Sequence, residues 1–469
     1  MPKAVVIGSG PNGLAAATYL ADRGVDVEVL EAADTIGGGT RTAELTLPGF
    51  RHDVCSAAHP MGILSPYLST LPLADHGLTW RAGAASFAHP LDDDDAVLHE
   101  KDLDATARAL GADADAYRRL VEPFVRRPDA FLEGALAPLR IPSAPFLMAS
   151  FGLRGMFSVE HLAKRFSGAR ARALLAGCAA HGVLPFDRWM TAAFGLIFCI
   201  TGHVETWPVA EGGSSAITTA LAKYLETKGG RVETNRRVTS MADLPDADAY
   251  LFDTDPAQLA NIAGDTLPSG YRARLERYRY GPAVCKVDWA LDGSIPWRDE
   301  RCRDASTVHV GGTFEEIAAA EAAVWRGEHP ERPFLIVCQQ SELDPSRAPD
   351  GKHTGYAYCH VPADSDVDHT AAIEAQVERF APGFCDRILA RHTMTAKDYA
   401  AYNPNHVGGA ISGGVADIAQ LFFRPVARLD PYRTPNDKIW ICSASTPPGG
   451  GVHGMCGYWA ARSVARRLC

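Results

Sequence analysis

The opening stretch KAVVIGSGPNGLAAATYLADRGVDVEVLEA, residues 3–32, constrains the fold more than any other part of the 469-residue chain. Ala4 to Ile7 is a short apolar, β-branched run of the kind buried on both faces of a parallel sheet. Leu14 to Arg23 is rich in helix formers and stops at Gly24, after which Val25, Val27 and Val29 alternate with charges up to Leu30. Strand, helix and strand within about thirty residues make a βαβ unit. Gly8, Gly10 and Gly13 stand between the first strand and the helix in GxGxxG spacing. The first allows a tight turn, the second lets a pyrophosphate approach the backbone, and the third lets helix and strand pack closely. Glu31 closes the second strand, where a carboxylate accepts hydrogen bonds from a ribose 2′-hydroxyl and repels the extra phosphate of NADP. The fingerprint alone serves NAD and FAD equally.

A second cradle is written at the other end. Trp440 to Ser443 reads as a strand, Pro447 to Gly454 as a glycine loop within TPPGGGVHGMCG, and Tyr458 to Arg466 as a helix. FAD is long, so binding it extended calls for one backbone cradle at its adenine half and another at its flavin half. A helix N-terminus beside the flavin also favours negative charge on the reduced ring.

Further motifs carry a family resemblance. Gly37 and Gly38 follow Glu31 at a short distance, with Arg41 the nearest guanidinium. This resembles the second glycine motif of the flavin-dependent amine oxidase and phytoene desaturase superfamily, in which the pair supports the FAD pyrophosphate region. That superfamily often carries arginine where this chain has Gly39. The C-terminal loop is similar to the FAD motif of the carotenoid desaturase branch, and the resemblance implies flavin contacts at Ser445, Thr446, Gly450, Val452 and His453. It implies adenine binding through the backbone of Val238. Ala444 stands where many amine oxidases have an acid, which favours the desaturase side. AHGVLP (180–185), GHVETWPVAEGGS (202–214), NPNHVGGAISGG (403–414) and RPVARLDPYRTP (424–435) extend the likeness to the bacterial phytoene dehydrogenase-related subgroup, with Ala410 at a place expected to hold aspartate.

The expected fold is therefore α/β: a Rossmann-like FAD-binding domain, discontinuous in sequence, with a mixed α+β substrate domain. Residues 1–90, 205–280 and 396–469 are expected to form the former, and 91–204 and 281–395 the latter. Leu103 to Phe124 has helical spacing, GGSSAITTALAKYLETKGG is a helix that stops at glycine, and AVCKVDWAL, PFLIVCQQ and GYAYCHV read as strands, the first alternating clearly. WMTAAFGLIFCITG, residues 189–202, is too short to span a bilayer. It reads as a buried core helix, with a helix lining a substrate cavity or touching a membrane as the alternative.

A formal charge of -10 without a basic stripe argues against nucleic acid. Eleven scattered cysteines, without CxxC or zinc spacing, suit a reducing compartment and no structural metal. A first strand starting near residue 3 leaves no room for an upstream targeting peptide, and a cytoplasmic location is expected.

No further GxGxxG unit stands apart from the two cradles, so the expected chemistry is hydride loss from an apolar polyene, isoprenoid or secondary metabolite to the flavin, with oxygen or a quinone as final acceptor. His453, in the flavin loop, and His59, in SAAHPMG, are the candidate bases; His181, His203 and His360 stand behind them. A flavin-dependent isomerase, an amine oxidase and a non-catalytic nucleotide-fold scaffold are the alternatives.

Overall fold

The computed structural model describes residues 1–468. Its first sheet is assembled from three distant parts of the chain. Ile439–Ile441, Ala249–Phe252, Lys3–Ile7, Asp26–Leu30 and Arg231–Glu233 lie side by side in that order, all parallel. Such strands are covered on both faces, which is why Ala4, Val5, Val6 and Ile7 form an unbroken apolar run. The first helix is Pro11–Ala21, with proline in its opening turn, where the missing N–H costs nothing. The last is Met455–Leu468, three residues longer at its start than the sequence suggested. These two helices pack together so closely that a Cβ on Gly457 would collide with the carbonyl of Asn12. Part of the glycine content of the C-terminal motif, here a residue inside the helix, thus serves helix packing.

The second sheet has seven strands in the order Ile388–Met394, Ala283–Leu291, His353–Val361, Leu335–Cys338, Ala305–Val310, Ala85–His89 and Val97–Glu100. Its pairings are antiparallel except between Ala305–Val310 and Ala85–His89. Ala85–His89 lies within the span 1–90 expected of the nucleotide region, yet it pairs here; buried at all five positions, it carries no alternation that tells the two sheets apart. Helices Ala169–Ala180, Thr191–Val204 and Phe314–Trp325 pack successively beside this sheet.

The alternation in AVCKVDWAL is real, but its polar side is not wet. All nine residues are buried, and Lys286 donates to Asp288 at 2.5 Å and to the Asp53 carbonyl at 2.9 Å. A polar face survives burial only when its groups pair in this way. A second buried pair ties the segments together: Arg347, wholly enclosed, donates to Asp53 (2.9 Å), Asp344 (2.7 Å) and the Ala210 carbonyl (2.8 Å).

Candidate functional site

At the N-terminal loop, Gly8 has a φ of +104°, and a Cβ on Gly13 would strike the Gly8 carbonyl. Close strand–helix packing therefore excludes any side chain at position 13. Glu31, at the end of its strand, accepts from the Ser9 N–H (2.9 Å), the Ser9 hydroxyl (2.6 Å) and the Ala33 N–H (2.9 Å). Arg41 reaches back to the same carboxylate at 3.2 Å while donating to the Thr35 carbonyl. Gly37 donates its N–H to the Ser9 carbonyl, and Gly38 lies against Gly10. The acid thus braces the loop as well as facing the space beside it.

Asp253 is the residue the sequence reading missed in this loop. Its Oδ2 accepts from the Gly13 N–H at 2.9 Å, and a Cβ on Gly10 would fall 2.7 Å from the same oxygen. Burial raises its pKa to about 8, the hydrogen bond from Gly13 opposes that rise, and the nearby charge of Glu31 adds to it. The carboxyl is therefore protonated at neutral pH, which spares an anionic ligand a buried negative charge. AYLFDT is legible as a strand, but nothing local shows that its next residue caps a loop 240 positions away.

The C-terminal loop is shaped by its own backbone. Thr446 donates from both its N–H and its hydroxyl to the Ser443 carbonyl, so its side chain turns inward. Ser445 donates to the Gly413 carbonyl at 3.1 Å, and a Cβ on Gly450 would strike the Ser412 carbonyl. Arg424 lies buried under this loop, its guanidinium directed at the carbonyls of Gln420, Val415 and Ala444, with no carboxylate partner among the described residues. It was quoted in a motif yet given no role by sequence reasoning.

Both loops open onto one cavity of about 830 Å³. Gly8, Gly10, Glu31, Gly38, Arg41 and Val238 line it on the N-terminal side; Ser445, Gly450, Val452 and His453 line it from the C-terminal loop. Gly13, Gly37 and Thr446 sit behind the lining and shape it. The helix Thr191–Val204 is both core and wall, turning Leu196 and Ile200 inward while Phe194, Ile197 and Phe198 face the cavity. These residues fit an extended FAD: two backbone surfaces closed to side chains, an unpaired buried guanidinium for an anionic portion, and a protonated acid at the glycine loop. Glu31, Val238 and Arg41 would hold the adenosine half, and Ser445, Gly450 and Val452 the flavin half.

The histidines divide by what their nitrogens already do. His453 accepts the Met455 N–H on Nδ1 at 3.0 Å, capping the last helix. Ser214 donates its hydroxyl proton to the Ser56 carbonyl, so the 2.8 Å contact between His59 Nε2 and Ser214 Oγ runs from histidine to serine. Nδ1 of His59 then keeps its lone pair, with Ser56 Oγ 3.4 Å away. Burial lowers the pKa of both rings to about 4. His203 is bonded to Tyr117 and the Glu100 carbonyl and does not line the cavity. His181 and His360 do line it.

Residues 6–69 match the family model of the NAD(P)-binding Rossmann-like domain. The chain is 25% identical to pyridine nucleotide-disulfide oxidoreductase domain-containing protein 2 of Mus musculus over 99% of this chain and 93% of that protein. It is also 25% identical to the lycopene-forming phytoene desaturase of Pseudescherichia vulneris, over 97% of each. An oxidoreductase from Methanosarcina mazei shares the fold, with a TM-score of 0.64 at 16% identity, covering 99% of this chain and 100% of its own. The chain thus carries a dinucleotide-binding Rossmann-like domain and is similar, over nearly its whole length, to pyridine nucleotide-disulfide oxidoreductase domain-containing protein 2 and to a phytoene desaturase.

Proposed function

We propose that the protein oxidises an apolar polyene, isoprenoid or secondary metabolite by hydride transfer to the flavin. The observation that carries this reading is the continuity of the cavity, which runs from the two glycine cradles to an apolar wall of Phe151, Phe194, Ile197, Phe198 and Ile336. Bound there, FAD supplies a two-electron hydride acceptor. The chain's own residues hold it, exclude water and receive a proton. His59 is the proton acceptor in this proposal, because its Nδ1 lone pair meets only the long 3.4 Å contact from the Ser56 hydroxyl, whereas that of His453 is spent on the helix cap. The N-terminus of Met455–Leu468 adds oriented amide dipoles beside the flavin cradle.

An apolar substrate also needs an entrance. Leu139 lines the cavity and is exposed, and Ile141 and Phe146 beside it are about nine-tenths exposed. Such a patch fits a lipid surface from which substrate is drawn. No helix among the described residues is long and apolar enough to cross a membrane.

The test is release and identification of the bound cofactor, followed by anaerobic mixing of the FAD-loaded protein with a panel of polyenes, isoprenoids and amines. Bleaching of the flavin absorbance by an apolar member supports the proposal. Bleaching by amines alone, or a double-bond shift without acceptor consumption, would replace it with an amine oxidase or an isomerase.

A further inference from the structure

Two histidines in the cavity wall, His181 and His360, have no part in the proposed reaction. His360 belongs to the strand His353–Val361 and is buried. Its Nδ1 lies 2.8 and 2.9 Å from the two oxygens of Glu321, which comes from the helix Phe314–Trp325 and is 2% exposed. A carboxylate only accepts, so Nδ1 carries the proton. Nε2 makes no hydrogen bond among the described residues and is not sealed in, so with the proton on Nδ1 its lone pair faces the cavity.

The other ring presents the opposite. His181 Nε2 is 2.9 Å from His309 Nε2, so one of the two donates. Burial keeps both neutral, holding His181 down to about 3 and His309 well below its usual value. His309 Nδ1 is enclosed against Gly177 without a partner. An orphaned buried N–H is the rarer defect, so His309 keeps its proton on Nε2 and donates. His181 then carries its own proton on Nδ1, which makes no hydrogen bond among the described residues and belongs to the cavity wall. Phe334 lies beside both sites, its ring centroid 5.9 Å from that of His309 and 6.4 Å from that of His360.

We infer that His181 and His360 form a donor–acceptor pair that anchors the hydroxyl group of an otherwise apolar substrate. The hydroxyl donates to His360 Nε2 and accepts from His181 Nδ1–H. A hydrocarbon leaves both nitrogens unpaired in an apolar wall, and a carbonyl satisfies only the donor. Sites built around a hydroxyl discriminate strongly against analogues that lack it. Glu321 is a positioning residue, fixing which nitrogen of His360 meets the substrate. This inference rests on reading the cavity as the substrate site.

Isothermal titration of the FAD-loaded, full-length protein with farnesol, farnesal and farnesene tests it. Farnesol is expected to bind at least about tenfold more tightly than farnesene. That preference disappears in His360→Leu and in His181→Phe, the second altering a less buried ring. In Glu321→Met the carboxylate no longer holds the proton on Nδ1, the His360 proton moves to Nε2, and farnesal gains on farnesol, an effect that a merely structural role for Glu321 does not produce. Equal binding of farnesol and farnesene to the wild type, or a preference surviving both histidine substitutions, would overturn the inference. Failure to bind FAD at all strikes the proposed function instead, so the two ideas fail separately.

Discussion

Asp253 is an acid whose proton belongs to the folded state. Its pKa is raised to about 8, so between its unfolded value and about pH 8 the native protein holds one proton more than the unfolded chain. Its contribution to stability therefore falls as pH rises through that window. Asp253→Asn keeps an acceptor for the Gly13 N–H and removes the ionisation. In thermal melts between about pH 6.5 and about pH 8, the variant is expected to gain on the wild type by roughly 1.4 kcal/mol per pH unit. His59 has the opposite sense, since its lowered pKa leaves it neutral and able to accept a proton across the physiological range. Single-turnover reduction is expected to stay flat down to about pH 5, fall toward about pH 4, and drop at least about a hundredfold in His59→Phe.

Elements meet in this fold through pairs that are distant in sequence. Arg347 joins Asp53, Asp344 and the Ala210 carbonyl, so Arg347→Met strands Asp53 as a buried charge and is expected to cost about 3–5 kcal/mol in urea denaturation. At the cavity entrance, replacing Ile141 and Phe146 together by serine is expected to weaken sedimentation with phospholipid vesicles at least about tenfold while leaving FAD content unchanged. The same distinction between local and distant explains what the sequence disclosed. Strand, glycines, helix and strand at residues 3–31 were readable because spacing, turn chemistry and periodicity all act within one short segment, whereas Gly38, Ser445 and Gly450, which line the cavity, were picked out by the family resemblance. Asp253 at the glycine loop, Arg424 without a carboxylate, and Glu321 behind His360 were not, because their meaning depends on neighbours supplied by folding. Glu321 reads locally as one more polar residue in an alanine-rich helix. Lys286 and Asp288 show the same limit, since alternation marks two faces but not which of them water reaches.

Across the whole molecule, burial of histidine governs the acid limb of stability. His52, His59, His89, His203, His406 and His453 are held near 4 by desolvation, so below their usual value the unfolded chain takes up protons that the native state refuses. Stability is expected to fall steeply from about pH 6.5 toward about pH 4. The larger claim is that loops from opposite ends of the sequence grip one extended dinucleotide, and it is tested most directly by titrating the apoprotein with FAD, FMN and ADP. Each half engages only one cradle, so FAD is predicted to bind at least about a hundredfold more tightly than either FMN or ADP. FMN or ADP binding as tightly as FAD would contradict the account, because one of the two cradles would then contribute nothing.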